Sequence, residues 1–313
     1  MPRNKVALLI VFLLLLAAAA YLRFFRQQKE TLKPIFTADS LAVGRIEIAD
    51  SRDTLTLAKV LGHWQIASPT QWGVEEGRLQ MFFKEVVLER YATTPLGTGK
   101  TALEQYQLLK PEQVLRIKVF SPQNKLLREV WFSNPGNPFD YFRFAGDGQV
   151  YQIRRKVARF YGPQFESWRS PHVLRLFSEQ MLSIKVRHSK NSYTLTRNGE
   201  IWHYQDKLED FDIPAGNQTM GKLLNILANL GSYAILSEEE KPDPQTLPEP
   251  ACEAVILKTD RDSLQIKFYP YGEHYLMTVS THPDMYFVVI FDTVFRFTRH
   301  ALLFRAREGY PPQ

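Results

Sequence analysis

Cysteine is almost absent: Cys252 is the single one in 313 residues. No disulfide can therefore form within the chain, and a zinc cluster built on thiolates is excluded. Cys252 also lies far from the apolar N-terminal run, so a bacterial lipoprotein's modifiable cysteine is missing. Metal motifs are equally scarce. The seven histidines, His63, His172, His188, His203, His274, His282 and His300, include no pair at the i, i+4 spacing of a helical metal site. His63 and His203 adjoin tryptophans on expected strands and read as partly exposed structural histidines. There is no Gly-x-Ser-x-Gly elbow. Gly97-Thr98-Gly99-Lys100-Thr101 echoes the end of a phosphate-binding loop, but Thr94 stands where the first glycine belongs and no strongly apolar strand precedes it. That stretch reads as a flexible loop between a helix and a strand.

Charge of one sign is not concentrated either. The net charge is +6, but the basic residues are scattered and no reader motif accompanies them, which argues against nucleic-acid binding. Paired acids for polymer hydrolysis are poorly represented. Glu75-Glu76 near a helix start complements the helix dipole, and Glu238-Glu239-Glu240 reads as a solvated run. No catalytic residue, metal site or cofactor is expected, and the chain reads as a non-enzyme.

What the chain does have is an internal repeat. Ile46 to Trp64 returns 138 residues later as Ile184 to Trp202, pairing Ile46 with Ile184, Ser51 with Ser189, Thr56 with Thr194, Leu57 with Leu195 and Trp64 with Trp202. Random matching over so short a window gives roughly one identity at average composition. Apolar residues alternate with polar ones in both copies, the period of half-buried strands. Asp50-Ser51-Arg52-Asp53 and Asn198-Gly199 suit tight turns. Each unit is thus expected to open as a three-stranded meander.

An amphipathic helix is expected next in each copy. Leu79, Phe82, Phe83, Val86 and Val87 fall on one helical stripe, as do Met220, Leu223, Leu224, Leu227 and Leu230, with Gly231 as the expected C′ residue. Further strands complete each unit, near Val114 to Ile153 and Ala254 to Ile290, followed by the basic aromatic stretches Arg154 to Tyr161 and Thr293 to Arg305. The expected fold is α+β: a tandem duplication of a mainly antiparallel sheet unit with one packed amphipathic helix per unit. Trp64, Trp202, Phe82 and Leu223 are the expected core anchors. Trp72, Trp168 and Tyr271 fit no strand or helix period, and are candidates for exposed aromatic contacts to a glycan or lipid.

Val6 to Leu22 is an uninterrupted apolar run with Arg3 and Lys5 before it and Arg23, Arg26 and Lys29 after it. As a helix it spans about 25 Å, and Phe24 and Phe25 extend it at the interface. The expected organisation is an anchor over 1–25, a tether over 26–38, units over 39–178 and 179–306, and a tail over 307–313. A signal peptide cleaved at the small residues Ala17 to Ala20 is the competing reading. Positive charge on both sides of the run leaves the orientation to the short N-terminal tail, which usually stays cytoplasmic. The expectation is a single-pass protein of the bacterial inner membrane, with its body in the periplasm if the cell has two membranes.

Trp64, Pro69, the first amphipathic helix, Leu103-Glu104-Gln105-Tyr106-Gln107-Leu108 with Pro111, Tyr141-Phe142-Arg143, Gly148 and Val150-Tyr151 resemble the domain-of-unknown-function 4340 family. The resemblance covers about residues 40 to 175 well and the second unit more weakly. Gln107 departs from it, since the family commonly has glycine after the tyrosine, and a turn is altered there. The resemblance implies an N-terminal membrane segment, an extracytoplasmic body and an accessory role beside an ABC-type exporter. It implies no catalytic residues. Three functions stay open: a structural or interaction protein contacting other envelope proteins, a glycan- or lipid-binding module, and an envelope polymer hydrolase.

Overall fold

The computed structural model describes residues 14–18, 21, 32–37, 39–136, 138–188 and 191–305. The chain divides into two compact units between Arg169 and Ser170. Most of the expected anchor over Val6 to Leu22 lies outside the described residues, as does the tail over 307–313. Among the described residues no helix is long and apolar enough to cross a membrane.

The first unit runs β1 (Leu32–Pro34), β2 (Arg45–Ala49), β3 (Thr54–Val60), β4 (His63–Ser68), β5 (Trp72–Gly73) and α1 (Glu76–Phe82), which continues as a π-helical turn over Phe83–Val87. Then come β6 (Arg90–Ala92), β7 (Gly97–Thr98), α2 (Gly99–Gln105), β8 (Leu115–Phe120), β9 (Leu126–Ser133), β10 (Asp140–Phe144), β11 (Gln149–Ile153), α3 (Val157–Phe160) and α4 (Phe165–Trp168). Nine strands form one antiparallel sheet in the order β5-β4-β3-β2-β8-β9-β10-β11-β7, while β1 pairs with β6.

The second unit repeats this plan. It runs β12 (His172–Leu174), β13 (Met181–His188), β14 (Asn191–Asn198), β15 (Ile201–Gln205), β16 (Asp210–Asp212), α5 (Gln218–Ala228), β17 (Leu230–Gly231) and β18 (Ala234–Ile235). It closes with β19 (Cys252–Lys258), β20 (Ser263–Tyr271), β21 (His274–Val279), β22 (His282–Val289), α6 (Phe291–Phe297) and α7 (Ala301–Arg305). Its sheet order, β16-β15-β14-β13-β19-β20-β21-β22-β18, is that of the first unit position by position, and β12 pairs with β17 as β1 does with β6. The duplication is therefore structural, and it begins ahead of the meander. Residues 32–37, expected in the tether, open the first body, with Ile35 and Phe36 buried; residues 170–178 open the second.

Alternation explains the shared register. Ile46 faces Leu57 and Ile48 faces Leu55 across β2 and β3, just as Ile184 faces Leu195 and Val186 faces Tyr193 across β13 and β14. All eight side chains are buried on one sheet face, where a one-residue slip would turn them to solvent. Turn chemistry holds the strand ends. Asp50 Oδ1 accepts from the backbone N–H groups of Arg52 and Asp53 at 2.8 and 2.9 Å. Of the Asn198-Gly199 pair in the second unit, only Gly199 takes a positive φ; Asn198 is the last strand residue.

Each first helix covers that apolar face. Glu75 caps α1 by accepting from Gly77 and Arg78, and Leu79, Phe82, Val86 and Val87 are buried beneath it. Asn217 caps α5, and Met220, Leu223 and Leu227 are buried. The expectation for Gly231 is corrected: α5 ends with Asn229 as its cap, because Leu230 and Gly231 are drawn into strand pairing with β12. The opposite sheet face is covered differently in the two copies. In the first, α2 lays Ala102 and Leu103 on Tyr141 and Val150; in the second, Leu236 and Leu247 from an extended proline-containing segment lie on Leu276, Tyr286 and Val288.

Candidate ligand pocket

A cavity of about 580 Å³ opens in the first unit between the β1–β6 pair and the ends of β9 and β10. Strand pairing places Lys33 opposite Tyr91. Arg128 arrives by register: Leu57, Ile46, Val119 and Arg128 form one row across β3, β2, β8 and β9. The first three are buried apolar residues, so an arginine ends a row of core side chains. A guanidinium so placed must be satisfied. Its Nη1 donates to the carbonyl oxygens of Ile35 at 2.8 Å and Pro34 at 3.3 Å, and the group lies 4.9 Å from the centre of the Phe144 ring. Its Nε and Nη2 have no protein partner among the described residues.

Tyr91 forms the inner wall. It is 8% exposed, with its ring 5.3 Å from Phe142, 5.5 Å from Phe144 and 4.9 Å from Tyr151 in edge-on contacts. Its hydroxyl has no hydrogen-bond partner among the described residues and is not closed off from water. Burial raises the pKa of that phenol, and the charge of Arg128 opposes the rise. The phenol is therefore a donor at neutral pH. Glu129 also lines the cavity, its carboxylate accepting from Trp131 Nε1 at 2.8 Å.

The second unit shows these positions in another state. The equivalent row is Leu195, Ile184, Ile256 and Leu264, so leucine stands where the first unit has Arg128. Val130 pairs with Phe144 and Ile266 with Val279, which puts valine at the place of Phe144. Leu264 and Val279 are ordinary core residues, 2% and 1% exposed.

A second cavity of the first unit, about 480 Å³, is lined by Asp50, Glu112, Asn134, Arg159 and Gln164 among others. Beside it lies Asp140, fully buried and raised in pKa by that burial. Its carboxylate accepts from Asn134 Nδ2 and, at 2.7 Å, from the Ala158 N–H in the first turn of α3. Those bonds give Asp140 a structural task, that of fixing α3 to β10.

The aromatic candidates are sorted by burial. Trp72, 7% exposed, is corrected to a core residue: β5 pairs it with Ile66 on the apolar face. Trp168 is corrected likewise. It is fully buried, edge-on to Phe82 at 5.1 Å, and its Nε1 donates to the Gly162 carbonyl at 2.7 Å. Tyr271 is 43% exposed, at the β20–β21 hairpin. Among the expected anchors Phe82 and Leu223 are fully buried and Trp202 is buried, whereas Trp64 is only partly buried at the fringe, its ring 5.4 Å from Phe83.

The remaining motifs resolve into structure. Gly97-Thr98 is strand β7 and Gly99-Lys100-Thr101 begins α2, so the expected flexible loop is corrected to regular elements. Cys252 is buried, its thiol pushed up to about 12 by desolvation. Among the described residues no group of three His, Cys, Asp or Glu side chains could hold a metal ion. His203 sits between two carboxylates, Nδ1 at 2.8 Å from Asp212 and Nε2 at 2.8 Å from Asp210, which tie β15 to the edge strand β16. The hydrogen bond to Asp212, followed by the charge of Asp210, raises its pKa.

Sequence reasoning missed Lys33, Tyr91 and Arg128. The signal was present at one of them: Leu126, Arg128, Val130 and Phe132 alternate along β9, and Arg128 interrupts the apolar face.

A family model described as a domain of unknown function (DUF4340) matches residues 64–250, crossing from the first unit into the second. No curated protein matches the chain, and no solved structure does.

Proposed function

Starting from the premise that the chain belongs to the DUF4340 family, we propose that it is a membrane-anchored, extracytoplasmic interaction protein whose first unit is the binding unit and whose second is its structural copy. In this reading the apolar run Val6 to Leu22 holds the chain in the membrane and the two units project beyond it. The partners are other envelope proteins, including an ABC-type transport complex.

One observation carries the reading. Two copies of one sheet have kept their registers, yet the positions filled by Leu264 and Val279 in the second are Arg128 and Phe144 beside a cavity in the first. A duplicated core needs no arginine at that place, as its own copy demonstrates. The groups offered there are a guanidinium, an ammonium and a phenol, donors that hold a ligand. The reading is therefore one of binding, not chemistry.

The test is crosslinking of the full chain in membranes followed by affinity capture. Repeated recovery of the same envelope proteins is expected. Recovery of the chain alone would overturn the proposal.

A further inference from the structure

We propose that the Tyr91–Arg128 cavity is a binding site for a small monocarboxylate carried on an apolar body, an inference that rests on reading the first unit as the binding unit.

The head group follows from the donors. Arg128 already commits Nη1 to the Pro34 and Ile35 carbonyls, which fixes the plane of the guanidinium. Nε and Nη2 remain, the paired edge that meets a carboxylate through two parallel hydrogen bonds. The Tyr91 hydroxyl supplies a third donor from the cavity wall, and Lys33 adds exposed positive charge at the rim. These groups match a single negative charge. Glu129 in the lining disfavours a more highly charged phosphate.

The body of the ligand follows from the walls. Pro34, Phe36, Leu126 and Phe144 supply the apolar lining. About 580 Å³ is within the usual range for small-molecule sites, which are mostly apolar with a few placed polar groups. The Tyr91 hydroxyl is a donor that the protein itself leaves unused among the described residues. The ring is buried, but the hydroxyl is not closed off from water, and it has no hydrogen-bond partner in the protein among the described residues, so it is free to donate to a ligand. A bound carboxylate completes it.

The probe is 2-naphthoate, titrated against the full chain in neutral detergent micelles, with empty micelles as the blank and its own fluorescence anisotropy as the readout. 2-Naphthylmethanol tests the need for charge, and 2-naphthyl phosphate tests the head group. Saturable one-to-one binding of the carboxylate is expected, with both comparison compounds weaker by about tenfold or more. Arg128→Leu, which installs the residue of the second unit, should weaken 2-naphthoate by at least about tenfold, and Tyr91→Phe by several-fold. The phenylalanine variant removes one oxygen atom, and decides the matter should the leucine variant fold poorly.

Carboxylate binding no tighter than that of the alcohol, tighter binding of the phosphate, or full affinity in both variants would each overturn the proposal. Should 2-naphthoate fail while Arg128→Leu still abolishes crosslinked capture, the carboxylate falls and the binding reading stands. Should both be without effect, both fall.

Discussion

Arg128 and Leu264 hold the same register position in two copies of one sheet, each ending a row that begins Leu57–Ile46 in one copy and Leu195–Ile184 in the other. The copy is a control that the molecule supplies for itself. Arg128→Leu should leave the stability of the first unit within about 1 kcal/mol of the parent, because replacing a held charge by a well-packed apolar group is often neutral. Arg128→Ala, which leaves a void, should cost about 2 kcal/mol or more. Urea unfolding of the two variants checks the contrast; equal losses would show that the arginine is there for structure.

The tryptophans should divide by burial, not by their place in the repeat. Trp168 is fully buried and hydrogen-bonded, and Trp202 is buried on β15. Each should lose about 3 to 5 kcal/mol on truncation to alanine. Trp64 lies at the fringe, and its loss should be about 1 to 2 kcal/mol, chiefly the contact with Phe83. Denaturant midpoints of the three alanine variants give the order directly.

Gln107 takes φ of +54°, the left-handed conformation that glycine adopts without penalty. It stands just past α2, where its N–H reaches the Glu104 carbonyl at 3.1 Å and that of Leu108 reaches Leu103 at 2.8 Å, a closed helix C-terminus. The residue is a departure from glycine, but the turn it makes is a glycine's turn. Gln107→Gly should therefore stabilise the first unit by about 1 kcal/mol, seen as a raised thermal midpoint. A lowered midpoint would show that the side chain contributes packing.

His203 gives the second unit a pH dependence with a defined sign. Its folded pKa is raised, so its contribution is complete below the unfolded value of about 6.5 and is lost as pH rises through the folded one. His172, His188 and His282 are shifted down by burial and act in the opposite sense below that value, leaving the window that opens above about 6.5 to His203. Wild-type stability should fall across that window, and His203→Gln should remove the fall. Following the imidazole by NMR in the Asp210→Asn, Asp212→Asn double variant should return its pKa toward about 6.5.

The duplicated meander was legible because period-two alternation and a fixed offset are local properties. Ile46, Leu57, Ile184 and Leu195 announced a shared register, and the structure has it residue for residue. The helices were legible from their stripes. Pairings over long separations were not. Trp72 and Trp168 looked unpatterned because two- and four-residue elements are too short to show a period, yet β5 and α4 deliver both to the core. Tyr91 was hidden for the same reason, and Arg128, although it breaks the apolar alternation of β9, could not be placed beside it, since only the β1–β6 pair and the β8–β9 register bring them to one cavity.

The central claim is that the first unit binds and its copy does not. Hydrogen–deuterium exchange of the full chain, with and without 2-naphthoate, tests it most directly. Protection is expected over β1, β6 and the Arg128 end of β9, with no change over β12, β17 and the Leu264 end of β20. Equal protection of both units, or of neither, would contradict it.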